Sequence, residues 1–95
     1  MQNEIELHIE FSALFDKKLR CLSPEIIGAF NEALDLFLEN PNHEHLRRHF
    51  LKEKYAGYQS IDITDDYRAV FKEARTKTQI IIKFYLIGTH DELYG

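Results

Sequence analysis

The second half of the chain contains two β-rich stretches, GYQSIDITDDYRAVF at residues 57–71 and IIIKFYLIGTHDELYG at residues 80–95. Polar clusters at Thr64–Asp66 and Ala74–Thr78 separate three apolar runs. Short polar clusters between such runs are typical of hairpin turns, so the pattern predicts an antiparallel meander. The turns and strand ends combine an acid, a cation, a base and phenols, namely Asp66, Arg68, His90, Tyr67 and Tyr94. Such a group at the edge of an apolar sheet is typical of a catalytic surface.

The first half of the chain is predicted to form one strand and two helices. Residues Ile5–Phe11 alternate between apolar and polar side chains, which predicts a half-buried strand with an acidic outer side. Ser12 is suited to cap a helix that runs to about Leu22, and Ser23 to cap a second helix that ends before Asn40. The element order predicts an α+β fold. A two-helix hairpin packs on one face of an antiparallel sheet, which contains the N-terminal strand and the three-stranded meander, and the other face is left free.

Length and composition favour a single domain spanning residues 1–95. Of the 95 residues, 44% are hydrophobic and 13% are aromatic, enough to build one core. No apolar run approaches the roughly 20 residues of a membrane-spanning helix, and Met1–Glu4 do not have the features of a secretory leader. A cytoplasmic protein with no membrane partner is therefore expected. Cys21, the single cysteine, lies among apolar residues, which predicts a position in or near the core.

The charge distribution argues against a general affinity for nucleic acid. The formal net charge is −4 at pH 7, whereas nonspecific nucleic-acid-binding proteins usually present a strongly basic surface. Residues 1–40 contain three Lys/Arg and eight Asp/Glu, and residues 41–95 contain nine and eight, so the acidity lies mainly in the first half. DNA binding by the chain alone is not expected. The candidates for a local, substrate-binding basic patch are Arg47, Arg48, Lys52, Lys54 and Arg68.

The polar side chains of the second half are sufficient for metal-independent cleavage of RNA. That reaction needs a base for the ribose 2′-hydroxyl, an acid for the departing 5′-oxygen and a cation beside the phosphorane. His49 and His90 belong to the residue type that changes charge near neutral pH. Asp66 can act as a base or an orienting acid, and Arg68 supplies a fixed cation.

Two tyrosines complete the candidate site, although several of its members also have ordinary structural alternatives. Tyr67 can stack on a base, and Tyr94 can contact the nucleotide or donate a proton. Asp66 is a residue type that tight turns favour in any case. Arg68 can instead pair with Asp66 or Asp62 as a cross-strand ion pair.

Histidines in the polar connection Asn42–Lys54 raise the alternative of a metal site. His45 and His49 are four residues apart with His43 nearby, a spacing that on a helix places two imidazoles beside one metal ion. No carboxylate or thiol supplies an evident third and fourth ligand. We therefore expect neither a metal nor another cofactor.

The two β-rich stretches also carry a family resemblance. The pattern Gly-Tyr-x-Ser-Ile-x-Ile-Thr-x-Asp-Tyr-Arg-x-Val-Phe at residues 57–71, with Ile-Gly-Thr-His-x-x-Leu-Tyr at residues 87–94, resembles the RelE/ParE superfamily of bacterial toxins, in particular its YafQ-like branch. The resemblance implies a RelE-like fold over nearly the whole chain. The positions that match the catalytic residues of these enzymes are His49, Asp66, Tyr67, Arg68 and His90.

The chain departs from the branch pattern at several positions around this site. A further histidine of the branch falls at about Asp62 here, and Tyr67 stands in place of a tryptophan. Glu53 and Asp65 occupy positions where relatives often have glycine. These departures predict a more acidic site than is usual for the branch.

The resemblance implies the toxin of a type II toxin-antitoxin system, a ribosome-dependent endoribonuclease that cleaves mRNA. Its implied partners are a cognate antitoxin protein, the ribosome and mRNA. The alternative is a non-catalytic binding module, either a ParE-like gyrase inhibitor or a degenerate toxin that only binds an antitoxin. The histidines favour the nuclease, because ParE-type proteins generally lack them, whereas the negative net charge favours the degenerate toxin.

Overall fold

The computed structural model of the chain describes residues 4–95 as an α+β fold, which confirms the predicted fold class. Met1–Asn3, part of the stretch used for the leader expectation, lie outside the described residues. The regular elements are β1 (Glu6–Phe11), α1 (Ala13–Arg20), α2 (Pro24–Glu39), β2 (His49–Phe50), β3 (Gln59–Asp62), β4 (Tyr67–Arg75), β5 (Gln79–Thr89) and α3 (His90–Tyr94). Single 3-10 turns at Glu44–Leu46 and Glu53–Tyr55 flank β2.

The sheet contains the predicted meander and two further strands, in the order β1-β5-β4-β3-β2. The antiparallel pairing of β3 with β4 and of β4 with β5 confirms the two hairpins. The expectation that β1 is also antiparallel is wrong, because β1 pairs parallel with β5. Two helices separate β1 from the rest of the sheet, and such a long connection does not impose the antiparallel direction that a hairpin does. The short edge strand β2 was not predicted.

Both long helices begin where the capping serines predict. The Ser12 hydroxyl accepts a hydrogen bond from the backbone N–H of Phe15 at 3.0 Å, and that of Ser23 accepts one from Ile26 at 3.4 Å. Helix α1 ends two residues earlier than predicted, at Arg20. Among the described residues, no helix is long and apolar enough to cross a membrane.

Helices α1 and α2 pack on one face of the sheet and form the core with it. Phe84, on β5, is fully buried and lies between phenylalanines of both helices and of β4. The buried phenylalanines, each at most 1% exposed, are Phe15, Phe30, Phe37, Phe71 and Phe84. The expectation of a core position for Cys21 is wrong: this residue caps the end of α1 and is exposed, whereas its neighbours Leu19 and Leu22 pack against the core.

A second, smaller layer covers part of the opposite face, which we call the open face. Helix α3 packs there through Leu93, which is 7% exposed, and the Tyr55 hydroxyl donates a hydrogen bond to the Leu93 carbonyl at 3.0 Å. The side chains of Ser60 and Val70 are consequently fully buried. The open face is therefore only partly free, contrary to the expectation of an uncovered surface.

Candidate functional site

A cleft of about 380 Å³ lies on the open face, where β2, β3, β4 and α3 meet. Seven of its eight lining residues have polar or charged side chains, and both signs of charge are present. The lining residues are Arg47, His49, Leu51, Ser60, Asp62, Arg68, His90 and Tyr94. Five of them, Arg47, His49, Arg68, His90 and Tyr94, are residues that the sequence nominated.

Strand register brings the first group of these side chains together. His49 of β2 pairs with Ser60 of β3, and Asp62 of β3 pairs with Arg68 of β4. Because side chains alternate along a strand, Ser60 and Asp62 point away from the core residue Ile61 and toward the open face. Their cross-strand partners share that face.

Helix α3 places His90 at the cleft immediately after β5 ends. Thr89 and Glu92 form a capping box: the Thr89 hydroxyl accepts from the backbone N–H of Glu92 at 3.1 Å, and the Glu92 carboxylate accepts from that of Thr89 at 2.8 Å. The backbone N–H of His90 donates to the Asp66 carbonyl at 2.9 Å. The turn between β3 and β4 is thereby tied to the start of α3.

A carboxylate and two guanidinium groups dominate the electrostatics of the cleft. Asp62 Oδ1 lies 3.0 Å from Arg68 Nε, and Asp62 Oδ2 lies 3.6 Å from Arg47 Nε. The side chains of Asp62 and Arg68 are 17% and 18% exposed, whereas that of Arg47 is 78% exposed. Arg68 also donates to the carbonyls of Thr64 and Tyr67 at 2.9 and 3.1 Å. Arg68 is therefore held in place, whereas Arg47 is a largely exposed cation at the rim of the cleft.

The hydrogen bond of His49 determines which of its ring nitrogens is available. His49 Nδ1 lies 2.7 Å from the Arg47 carbonyl oxygen, which can only accept. Nδ1 must therefore carry a proton, and in the neutral ring Nε2 holds the free lone pair. Arg47 has a left-handed backbone, with φ at 48°, which turns its carbonyl toward the ring. A neutral His49 is thus prepared to accept a proton at Nε2.

His90 and Tyr94 form the opposite wall of the cleft. Their ring centroids are 4.8 Å apart in an edge-to-face arrangement. The Tyr94 hydroxyl donates to the hydroxyl of buried Ser60 at 3.3 Å. This contact links α3 to β3 at the wall of the cleft.

Two of the sequence candidates, Asp66 and Tyr67, do not line the cleft. Asp66 is exposed in the β3–β4 turn, where its backbone N–H donates to the Thr64 hydroxyl at 3.3 Å. Tyr67 is half-buried at the start of β4. Both act on the site through their backbone carbonyls, Asp66 toward His90 and Tyr67 toward Arg68.

Arg48 lies on the side of the sheet that faces α2. Its guanidinium stacks over the rings of Phe37 and Phe71 at 5.4 and 5.3 Å, and pairs with Glu73 at 2.5 Å. Burial raises the pKa of the Glu73 carboxyl, but hydrogen bonds from Arg75 and Arg48 lower it more, and the net pKa lies below the ordinary value. The contacts of Arg48 are those of a structural cation.

The remaining basic candidates also lie outside the cleft. Lys54 holds its ammonium group 5.2 Å from the centroid of the Tyr55 ring. Lys52 is exposed and precedes the Glu53–Tyr55 turn. Both lie in the segment between β2 and β3, the two strands that supply His49, Ser60 and Asp62 to the cleft.

Asp62 and Ser60 are cleft residues that the sequence did not nominate. The sequence suggests Asp62 only as an ion-pair partner of Arg68 and as the position where the YafQ-like branch has a histidine. The signal that identifies it is the hairpin itself, since the turn at Thr64–Asp66 sets Asp62 opposite Arg68.

The premise of the metal alternative fails because the histidines do not share a helix. His43 and His45 flank a single 3-10 turn, with ring centroids 4.8 Å apart, and His49 lies on β2. Across residues 4–95, no group of three or more His, Cys, Asp or Glu side chains is arranged to hold a metal ion.

Comparison with known proteins relates the chain to others through structure. No protein-family model matches the sequence, and no curated protein matches it either. The structure matches YafQ from E. coli strain BL21(DE3) with a TM-score of 0.76 and 20% identity, over 95% of this chain and 100% of that one. It matches a YoeB/ParE toxin from Agrobacterium tumefaciens with a TM-score of 0.71 and 15% identity, over 87% and 98%. It also matches the E. coli DinJ-YafQ complex, with a TM-score of 0.64 and 21% identity, over 95% and 100%.

The chain therefore has the fold of the RelE/ParE-type toxins. Within that fold it is similar to YafQ over nearly its whole length. The resemblance drawn from the two sequence motifs is confirmed at the level of the fold.

Proposed function

We propose that the chain is the toxin of a type II toxin-antitoxin system and a ribosome-dependent endoribonuclease that cleaves mRNA. The observation that carries the proposal is the cleft, where His49, His90, Arg68 and Tyr94 come together from three separate elements. These side chains supply a base, an acid and a cation, which is the set that metal-independent cleavage requires.

In the proposed reaction, His49 Nε2 removes the proton from a ribose 2′-hydroxyl. The 2′-oxygen attacks the adjacent phosphorus, and Arg68 stabilises the negative charge that develops on the phosphorane oxygens. Protonated His90 then gives its proton to the departing 5′-oxygen as the P–O5′ bond breaks. The products are a 2′,3′-cyclic phosphate and a free 5′-hydroxyl. Each histidine ends in the other's initial protonation state, so the pair must exchange protons with water before the next turnover.

The other candidates have supporting roles in this proposal. The hydrogen bond that His49 donates to the Arg47 carbonyl selects the ring tautomer that acts as base, since this carbonyl accepts the Nδ1 proton. Asp66 holds the backbone of His90, and Tyr94 packs against the His90 ring. Tyr67, Lys52 and Lys54 remain candidates for contacts with the RNA. For regulation we propose a cognate antitoxin, because the similar DinJ-YafQ structure from E. coli is a toxin-antitoxin complex. The site of action would be the cytoplasm, where the ribosome and mRNA are.

A non-catalytic binding module is the second candidate function. It is favoured by the position of Asp62, whose carboxylate offsets the charge of both arginines in the cleft. The net charge of −4 also favours this candidate, because it weakens binding to the phosphates of RNA. A protein of this kind would bind an antitoxin, or gyrase, without cutting RNA.

Induced expression in a bacterial host separates the two candidates. The proposal predicts that the wild-type chain arrests growth and leaves new mRNA ends at in-frame positions. His49→Ala and His90→Ala should abolish both effects. His8→Ala is the matched control, because His8 is a half-exposed histidine on β1, outside the cleft.

The contradicting results are equally specific. Growth arrest that persists in both cleft variants, without new mRNA ends, would support a gyrase inhibitor instead. A wild-type chain that is folded and harmless in cells would support the degenerate toxin.

A further inference from the structure

A continuous series of tyrosine and lysine side chains extends from the cleft across the open face. We call it the tyrosine–lysine strip. Its members are Tyr94, Tyr55, Tyr58, Tyr85, Lys54, Lys72 and Lys83. The strip begins at Tyr94, which also lines the cleft.

The four rings of the strip contact one another in sequence. Tyr94 meets Tyr55 with ring centroids 5.9 Å apart, Tyr55 meets Tyr58 at 6.5 Å, and Tyr58 meets Tyr85 at 5.4 Å. Interplanar angles of 82–86° make every contact edge-to-face. All four residues are half-buried, so each is fixed by packing and still reaches solvent.

Three lysines make cation–π contacts with these rings and form no ion pairs with acids within residues 4–95. The ammonium groups of Lys54, Lys72 and Lys83 lie 5.2, 4.6 and 5.4 Å from the ring centroids of Tyr55, Tyr58 and Tyr85, respectively. Within residues 4–95, none of the three lies within salt-bridge distance of a carboxylate. These cations are therefore available to an external anion.

Two of these lysines lie where their charges reduce the stability of the folded sheet. Lys72 of β4 and Lys83 of β5 are directly opposite each other in the sheet register. Like charges at such positions destabilise a sheet. Their neighbours Phe71 and Phe84 face the core, so both lysines belong to the open face. Packing against tyrosine offsets part of the repulsion between the two ammonium groups. An anion bound between them would offset the remainder.

The open face carries acids as well as these lysines, since Glu10 of β1 lies beside Lys83 in the parallel register and its neighbour Ile9 faces the core. The helices on the opposite face, with the turn between them, span residues 13–39 and contain five Asp/Glu and three Lys/Arg. The rest of the chain contains eleven Asp/Glu and nine Lys/Arg, so the helices and their turn account for half of the net charge of −4. Locally, the strip presents three lysines beside the cations of the cleft.

We infer that the tyrosine–lysine strip binds single-stranded RNA on its way into the cleft. This inference rests on the proposed function and adds a binding track to it. Phosphates contact Lys54, Lys72 and Lys83, and unpaired bases stack on the tyrosine rings that the lysines now cover. Aromatic rings interleaved with cations are the usual surface for single strands, since every base offers a π-face.

RNA fits this surface better than an acidic protein segment. An acidic peptide would use the lysines alone, whereas a nucleic-acid strand uses both the lysines and the ring faces. Contact between Tyr94 and both the strip and the cleft also gives a bound strand a continuous route to His90.

The test measures binding of a fluorescent, fully 2′-O-methylated RNA decamer by anisotropy between 50 and 200 mM salt. This RNA lacks the attacking hydroxyl, so binding is separated from cleavage. The double variant Lys72→Gln with Lys83→Gln should lower the slope of log K against log salt by about 1.4, since each phosphate contact on a single strand contributes about 0.7. At 0.1 M salt the corresponding loss of affinity is roughly 25-fold relative to wild type.

Two further variants distinguish the contributions of charge and stacking. Lys17→Gln with Arg20→Gln removes the same charge from α1 and should leave the salt slope unchanged. Tyr58→Leu should weaken binding with the slope retained, because stacking releases no counterions. Each variant is checked for wild-type circular dichroism before binding is measured.

Three outcomes would overturn the inference. These are no binding by wild type at 50 mM salt, equal losses in both double variants, or equally tight, lysine-dependent binding of oligoglutamate. Failure of the nuclease proposal gives a different result. If the chain binds the methylated RNA through the strip but cuts no mRNA in cells, the RNA-binding inference holds and the nuclease proposal fails.

Discussion

Asp62→Asn tests how the internal carboxylate of the cleft affects both stability and RNA binding. Asparagine has the same shape and removes one negative charge from between Arg47 and Arg68. Arg68 loses its 3.0 Å ion pair but keeps two carbonyl acceptors, on Thr64 and Tyr67. The substitution therefore weakens one contact of a cation that stays hydrogen-bonded.

The expected loss of stability follows from that remaining set of contacts. Breaking a fully buried ion pair costs roughly 3–5 kcal/mol, but here the side chains are 17% and 18% exposed and line an open cleft. We expect a decrease in unfolding free energy of about 1–2 kcal/mol. For a domain of this size, that corresponds to a Tm lowered by roughly 4–16 °C.

RNA affinity should change in the opposite direction. A unit charge at about 6 Å from a phosphate, in an effective dielectric of about 40–80, contributes roughly 0.7–1.4 kcal/mol. Removing the Asp62 carboxylate should therefore tighten binding of non-cleavable RNA by roughly 3- to 10-fold. The exposed Arg47 would then be free to contact phosphate.

The assay combines thermal denaturation with anisotropy titration of the methylated RNA decamer. Asp65→Asn is the control, because Asp65 is an exposed acid three residues away that makes no salt bridge within residues 4–95. Tighter binding by Asp62→Asn alone is the expected result. Weaker binding by this variant would contradict the prediction and show that the carboxylate holds Arg68 in its binding position.

Three further predictions concern the scaffold. The pKa of Glu73 is lowered in the folded state. The contribution of its carboxylate to stability is therefore complete above the unfolded pKa of about 4.3 and is lost as the pH falls through the folded pKa. When the free energy of unfolding is measured at decreasing pH, Glu73→Gln should lose less stability than wild type. Phe84→Ala removes a fully buried ring from the centre of the core and should cost roughly 3–5 kcal/mol in urea denaturation. Thr89→Ala removes the cap of α3 and should cost about 1 kcal/mol, with faster hydrogen exchange at the Glu92 amide; unchanged exchange would contradict the capping role.

The elements that local sequence signals control were predictable. Ser12 and Ser23 cap the two helices as their sequence context indicates. The polar clusters at Thr64–Asp66 and Ala74–Thr78 also lie at the two hairpins, because turn residues act over a few positions. Local chemistry therefore determined most of the fold.

The features that depend on distant contacts were not predictable. The alternation in Ile5–Phe11 specifies which side of β1 is apolar but not its direction beside β5. Strand β2 has two residues and pairs through His49 and Phe50, too few to leave a periodic signal. Cys21 follows an apolar pattern, yet the end of α1 turns it into solvent.

The candidate site was predictable where motif and register agree. His90 and Arg68 follow from the motifs, and both line the cleft. The choice between Asp62 and Asp66 as the cleft acid was not possible without the register, because one residue faces Arg68 and the other only offers its carbonyl to His90. The basic patch predicted from sequence includes Arg48, because the sequence does not reveal that Glu73 and two phenyl rings enclose this side chain.

The most direct test of the central claim is the chemistry of the ends that the purified chain produces. The chain is incubated with ribosomes translating a defined mRNA, and the 3′ termini of the fragments are analysed. Cleavage by His49 and His90 predicts 2′,3′-cyclic phosphate ends, and no such ends with His49→Ala or His90→Ala. Intact mRNA with folded wild-type protein, or fragments that both variants still produce, would contradict the account.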